Sequence, residues 1–271
     1  MRERRVASVL DIEQDGHVRT IVLNRPDKMN ALSTELAWGI IGAVEDAAGD
    51  DDVWVIAITG SGNAFCAGLD LSGNRDQSFN PQSPLGQQLD DLSWVGQFFL
   101  TLRQKCDKPI VAGVNGAAVG AGLSLAMATD MRIVARSARL IAGYPRIGGS
   151  PDGGLSYTLR ECMGHEQAMR FLLENRTVGG EEAVRLGMAG ELVEDDQLRS
   201  RLAEYCHSLT QLSPVTGRLT KRTVVKAATT TDLETHLRYE LATIHRAFAS
   251  EDAQEARKAF LEKRAPVFKG R

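Results

Sequence analysis

"PIVAGVNGAAVGAGLSLAMATDMRIVA", residues 109–135, places an apolar run, a glycine-rich turn, a helix-like stretch and a second apolar run in immediate succession. A strand that feeds a helix and returns as another strand is the repeating unit of layered α/β folds. The runs at 109–115 and 131–135 lack the alternation of a half-exposed strand, so each is expected to be covered on both faces. The turn between them opens what reads as an amphipathic helix. Upstream, "VWVIAIT" at 53–59 is the same kind of run.

The rhythm continues outward. Residues 6–13 and 17–23 alternate β-branched and polar side chains around Asp15-Gly16, a hairpin signature. Ser33 reads as the N-cap of a helix running to about residue 48, with Leu36, Ile40, Val44 and Ala47 on one face. A further helix is expected over 85–105, carrying Leu89, Leu92, Phe99 and Leu102. Beyond about residue 197 the pattern turns almost wholly helical, over 198–212, 214–229, 233–249 and 252–263. The expected organisation is an α/β core over 1–197 and a helical part over 198–271.

Composition removes several function classes. A formal net charge of -3 over 271 residues gives no pull toward nucleic acid or an anionic membrane. No apolar run reaches the ~18 residues of a membrane span. The first residues carry basic side chains without a continuous apolar stretch, unlike a secretory leader. The four cysteines, Cys66, Cys106, Cys162 and Cys206, are far apart and make no CxxC pair. A cytoplasmic setting is the expectation. No clustered metal-ligand set is visible, and none of the five histidines sits near Ser72 or Ser124 to build a hydrolase triad.

A second glycine-rich stretch is "AITGSGNAFCAGLDL", residues 57–71. Neither it nor 116–122 has the spacing of a dinucleotide or phosphate loop. Each junction reads in two ways: as a tight turn, or as a device that bares a main-chain N–H. Two such N–H groups converging on one point make an oxyanion hole.

Four stretches in order, "NRPDKMNALS" (24–33), "GSGNAFCAGLDL" (60–71), residues 108–134 and "AFLEKRAPVF" (259–268), resemble the marks of the crotonase family, also called the enoyl-CoA hydratase/isomerase family. The resemblance spans roughly residues 6–268. It implies an α/β spiral of repeated ββα units followed by a C-terminal helical oligomerisation region. It implies that the Leu69 and Ala121 N–H groups hold an acyl-CoA thioester oxygen, Ala121 being the middle of the triplet Gly120-Ala121-Gly122. One such donor is typically worth ~3 kcal/mol in the transition state.

Family hydratases use two glutamates around one water. The matching positions hold Ser124 and Tyr144. The carboxylate left in a family-relevant place is Asp152, in "GGSPDGGLSYTL" (148–159). It resembles the proton-shuttling aspartate of some family isomerases, and the nucleophile of a family dehalogenase whose helper histidine falls near Gln97 here. Its plain alternative is a helix N-cap. Tyr144 is either a partner for Asp152 or the acyl group, or a pocket-wall aromatic. Cys66 reads as packing.

The resemblance also implies that coenzyme A, as part of the substrate, is held by the loop Arg25–Ala31 and by main chain around Ala67, Asp70 and Leu71, with Gly120 and Ser124 near the acyl group. Arg25 and Lys28 read either as phosphate partners or as solvated loop charges. Phe260 and Lys263 match the pair that meets the adenine end, often from a neighbouring subunit of a trimer or hexamer. Residues 73–88 read as a flap over the acyl pocket, and Trp94, Phe98 and Phe99 as pocket lining or core. No separate cofactor is expected. Four activities stay open: double-bond isomerisation, hydration, a hydrolytic or dehalogenase-like reaction, and CoA binding without chemistry.

Overall fold

The computed structural model describes residues 8–72 and 92–271. The expected flap at 73–88 and the first part of the helix expected over 85–105 lie outside the described residues. The chain opens with an antiparallel hairpin, β1 (Leu10–Asp15) and β2 (Val18–Leu23). Ser33 Oγ accepts the Leu36 N–H at 3.2 Å and starts α1 (Thr34–Gly49). Its buried face carries Leu36, Ile40, Val44 and Ala47, as the spacing requires.

Three ββα units follow. β3 (Val55–Gly60) and β4 (Ala64–Cys66) precede α2 (Ser93–Leu100), which runs on into a π-helical turn at Thr101–Lys105. β5 (Ile110–Val114) and β6 (Ala117–Val119) precede α3 (Ala121–Ala128). β7 (Met131–Ala135) and β8 (Arg139–Ile141) precede α4 (Leu155–Glu174). β9 (Thr177–Gly179), α5 (Gly180–Arg185) and β10 (Glu191–Val193) complete the core. The first strand of each unit enters a six-stranded sheet of order β1-β2-β3-β5-β7-β10, and the second enters a four-stranded sheet of order β4-β6-β8-β9. Each unit therefore turns a corner between two sheets, which makes the spiral.

β3 shows why its run is continuously apolar. Ile56 and Ile58 face the large core under the helices, whereas Val55 and Ala57 face a second cluster on the other side of the sheet. That second cluster is closed by Leu198, Leu202 and Cys206 of α6 (Leu198–Thr210). The first helix of the helical part is thus packed on the core sheet. α7 (Pro214–Ala227), α8 (Leu233–Phe248) and α9 (Glu251–Glu262) follow. Lys221 of α7 is buried and pairs with Asp130 at 2.8 Å, while Asp130 also accepts the Ile110 N–H at 2.8 Å. This joins α7 to the end of α3 and the start of β5.

α3 corrects the expected amphipathic helix. All eight of its residues are buried, so it has no polar face and sits inside the core. Ser124 is its single polar side chain.

Candidate active site

The two glycine junctions lie side by side. Gly68 has φ +90°, and a side chain there would meet the Val119 carbonyl oxygen at 2.6 Å and lie 3.8 Å from Ala121 N. Only glycine lets the end of the β4 turn run this close to the start of α3. Gly120 has φ +53° and is the N-cap of α3, which makes Ala121 the first helical residue. The Ala121 N–H is then one of the amides that a helix start leaves without an intrahelical partner.

Leu69 is set by a short parallel bridge to Leu32. The Leu32 N–H donates to Gly68 O at 2.7 Å and the Asp70 N–H donates to Leu32 O at 3.0 Å. These bonds take up the side facing Leu32 and leave the Leu69 N–H directed away from it. Among the described residues, neither the Leu69 nor the Ala121 amide has a hydrogen-bond acceptor.

Side chains brace this arrangement. Arg25 pairs with Asp70 at 2.8 Å and also donates to the Ala31 carbonyl. Ser72, followed by Arg25, holds the Asp70 carboxyl well below the usual carboxylate range. Arg25, read from sequence as a possible phosphate partner, is committed to the protein. Lys28 is exposed, with its Nζ 3.5 Å from Ser72 Oγ. Two residues that the sequence reading passed over complete the brace. Asn30 is wholly buried, accepts the Arg25 N–H at 2.9 Å and donates to Ser61 O and Ala64 O. Asn115 donates to Gly62 O and Ala64 O and accepts the Gly60 N–H at 3.2 Å. The sequence signal for both was an asparagine at a turn, where a short amide satisfies main-chain groups. Cys66 lies buried beneath, and burial pushes its thiol up to about 12, so it is an inert packing residue.

The acid–base side is built on α3 and the loop before α4. Tyr144, 7% exposed, begins a short 3₁₀ turn over Tyr144–Ile147. Its hydroxyl donates to Asp152 Oδ1 at 2.7 Å. Ser124 Oγ lies 3.1 Å from the same hydroxyl and 3.0 Å from Asp152 O, so its one proton has either as an acceptor. Ser124 stands about one turn of α3 beyond Ala121 and ties the Asp152 main chain to that helix. Burial, and then the Asp152 contact, push the Tyr144 hydroxyl above its ordinary range, so it stays protonated as a donor near neutrality. The Asp152 side chain is exposed and does not cap α4. The N-cap there is Gly154, with no side-chain cap bond, and it is the Asp152 main-chain carbonyl that accepts the Leu155 N–H.

The aromatic residues of α2 divide. Phe98 is core, while Trp94 and Phe99 are partly buried against it. Gln97 Oε1 accepts from Lys105 Nζ at 3.1 Å. Phe260 is exposed, and Lys263 is the left-handed C-cap of α9. Among the described residues there is no group of three or more His, Cys, Asp or Glu placed to hold a metal ion, and no helix long and apolar enough to cross a membrane.

A ββα spiral that brings two glycine junctions side by side at the start of a buried helix defines a protein of the crotonase fold. A model of the family described as enoyl-CoA hydratase/isomerase matches residues 13–271, and the chain belongs to that family. It is 33% identical over 259 residues to a probable enoyl-CoA hydratase of Mycobacterium tuberculosis, covering 95% of this chain and 96% of that protein. It is 31% identical over 258 residues to the 1,2-epoxyphenylacetyl-CoA isomerase of Escherichia coli, covering 94% and 95%. The crystal structure of a probable enoyl-CoA hydratase/isomerase from Mycobacterium abscessus has a TM-score of 0.88 at 28% identity, covering 97% of this chain and 100% of that one.

Proposed function

We propose that this protein is an enoyl-CoA isomerase in which Asp152 carries one proton between two carbons of the substrate. The Leu69 and Ala121 amides hold the thioester oxygen. The Asp152 carboxylate takes the α-proton of a β,γ-unsaturated thioester, and the electron pair moves to that oxygen as a dienolate. The same carboxyl returns the proton at the γ-carbon, which leaves the α,β-unsaturated thioester. Nothing is consumed, and neither a metal nor a redox cofactor enters a step.

The observation that carries this reading is that the Asp152 carboxylate is hydrogen-bonded to Tyr144, which stands where family hydratases have a second glutamate. One base suffices to move a proton within a substrate. Hydration is the second reading, favoured by the name of the Mycobacterium tuberculosis relative. It asks for an acid and a base around one water, and Tyr144, held protonated, is poorly suited to be that base. Supplying the β,γ- and the α,β-unsaturated acyl-CoA separately, and following double-bond migration in the first against water addition to the second, separates the two. Migration well above hydration supports isomerisation, and the reverse overturns it.

The helical part is proposed to assemble copies of the chain into a homotrimer or hexamer. Leu233, Leu237, Leu241, Ile244 and Phe248 of α8 are exposed at helical spacing on one stripe. An apolar stripe of that length marks an interaction face. Phe260 and Lys263 are then placed to meet the coenzyme of a neighbouring subunit, and Lys28 that of its own.

A further inference from the structure

Ser124 is a buried polar group in an otherwise apolar helix, with 0% exposure. Three oxygens surround its hydroxyl: Asp152 O at 3.0 Å, Tyr144 Oη at 3.1 Å and Gly120 O at 3.3 Å. A serine hydroxyl has one proton to donate and two lone pairs to accept with. Its proton therefore has a choice of acceptors, and one of them is the hydroxyl that touches Asp152.

We propose that Ser124 is a positioning residue that acts through Tyr144, turning its single proton between Tyr144 Oη and a main-chain carbonyl so that Tyr144 stays hydrogen-bonded in both protonation states of Asp152. This rests on the reading of Asp152 as the proton carrier. With Asp152 ionised, the bonds run in one direction: Ser124 donates to Tyr144, and Tyr144 donates to Asp152 Oδ1. When the carboxyl has taken the substrate proton on Oδ1, it donates to Tyr144 Oη. The Tyr144 proton then turns to Ser124 Oγ, and the Ser124 proton turns to Asp152 O or Gly120 O. Two hydroxyls rotate, no heavy atom moves, and Tyr144 stays neutral throughout. Among the described residues, an alanine at 124 leaves the Tyr144 proton no acceptor but Asp152, so the reversed arrangement loses a bond. Among the described residues, Ser124 and Asp152 are the groups hydrogen-bonded to the Tyr144 hydroxyl.

The test compares the full-length protein with Ser124→Ala, Ser124→Cys, Tyr144→Phe and the Ser124→Ala/Tyr144→Phe double variant. Two readouts are taken: turnover, and an isotope-edited infrared titration of the aspartate carboxyls with Asp152→Asn subtracted. Tyr144→Phe is expected to raise the Asp152 titration midpoint, because the charged form loses a donor. Ser124→Ala is expected to lower it, because the arrangement with Asp152 protonated loses a bond, and to lower kcat about 3- to 10-fold with KM unchanged, the size of one lost hydrogen bond. Ser124→Cys, which keeps a weak donor, is expected to fall between. In the Tyr144→Phe background, Ser124→Ala is expected to change neither readout further. Equal losses with and without Tyr144, or an unmoved titration in Ser124→Ala, would overturn the proposal. The titration reads the network whether or not a thioester is isomerised, so it decides Ser124 separately from the activity assays that decide Asp152.

Discussion

The Tyr144 hydroxyl donates to Asp152 Oδ1 across 2.7 Å, and both residues reach that contact from a loop that α3 holds through Ser124. The bond orients the carboxylate without ionising the tyrosine. It also answers the alternative that Asp152 is a helix cap, because the Asp152 side chain is used on Tyr144 and the cap position is Gly154.

The oxyanion assignment is tested at Ala121. Proline removes the N–H and is tolerated at the first position of a helix, where Ala121 stands. Ala121→Pro is expected to fold and to lose about 100-fold or more in turnover. Circular dichroism checks the fold, and full activity in a folded variant would remove Ala121 from the site.

Arg25 and Asp70 are expected to set the Leu69 amide. Arg25→Met is expected to lower turnover by about 10- to 100-fold, as a small misplacement of a donor does. The pair also has an acid signature. The Asp70 carboxyl is held below its unfolded value of about 3.9, so its stabilising contribution is complete above that pH, declines as pH falls below it and is gone only once pH has fallen through the depressed folded value. Urea midpoints are expected to show Asp70→Asn weaker than wild type at pH ~7, with the gap narrowed but still present at pH ~3. A constant difference would show that the carboxylate charge is not what the loop uses.

Tyr144 gives the opposite pH dependence. Its value is raised above an unfolded value of about 10, so its contribution is complete below that pH and is lost as pH rises through the folded value. The stability advantage of wild type over Tyr144→Phe is expected to hold to pH ~10 and to shrink above it, by denaturant midpoints. An advantage that holds to higher pH would mean that the hydroxyl is more open to solvent than its burial indicates.

The larger strands were legible because burial on both faces writes itself as an unbroken apolar run, as at 53–59 and 131–135. β4, β6 and β8, each three residues long, have no room for a period. The ββα repeat is consequently structural, with no sequence repeat to announce it. α3 misled because an apolar helix of eight residues shows no face. The oxyanion donors are main-chain groups, so their side chains carry no chemical signal and only the resemblance pointed to them. Asp152 was visible as a carboxylate between glycines. Its contact with Tyr144 and the bracing by Asn30 and Asn115 required the fold.

Assembly is tested on α8. Leu241→Glu and Phe248→Glu place charge on the exposed stripe and are expected to shift a trimer or hexamer toward monomer by light scattering. A wild-type monomer at micromolar concentration would contradict the assembly and remove Phe260 and Lys263 from a neighbour's site.

The most direct measurement is solvent-deuterium exchange at Cα of an acyl-CoA, comparing wild type with Asp152→Asn. Asparagine keeps an oxygen for the Tyr144 donor but cannot take a proton near neutral pH. Exchange and isomerisation are expected to fall about 100-fold or more, with CoA thioester binding kept. A single turnover of the wild type in heavy-oxygen water is expected to leave the Asp152 side chain unlabelled. Undiminished exchange in Asp152→Asn, or heavy oxygen in that side chain, would contradict Asp152 as the proton carrier.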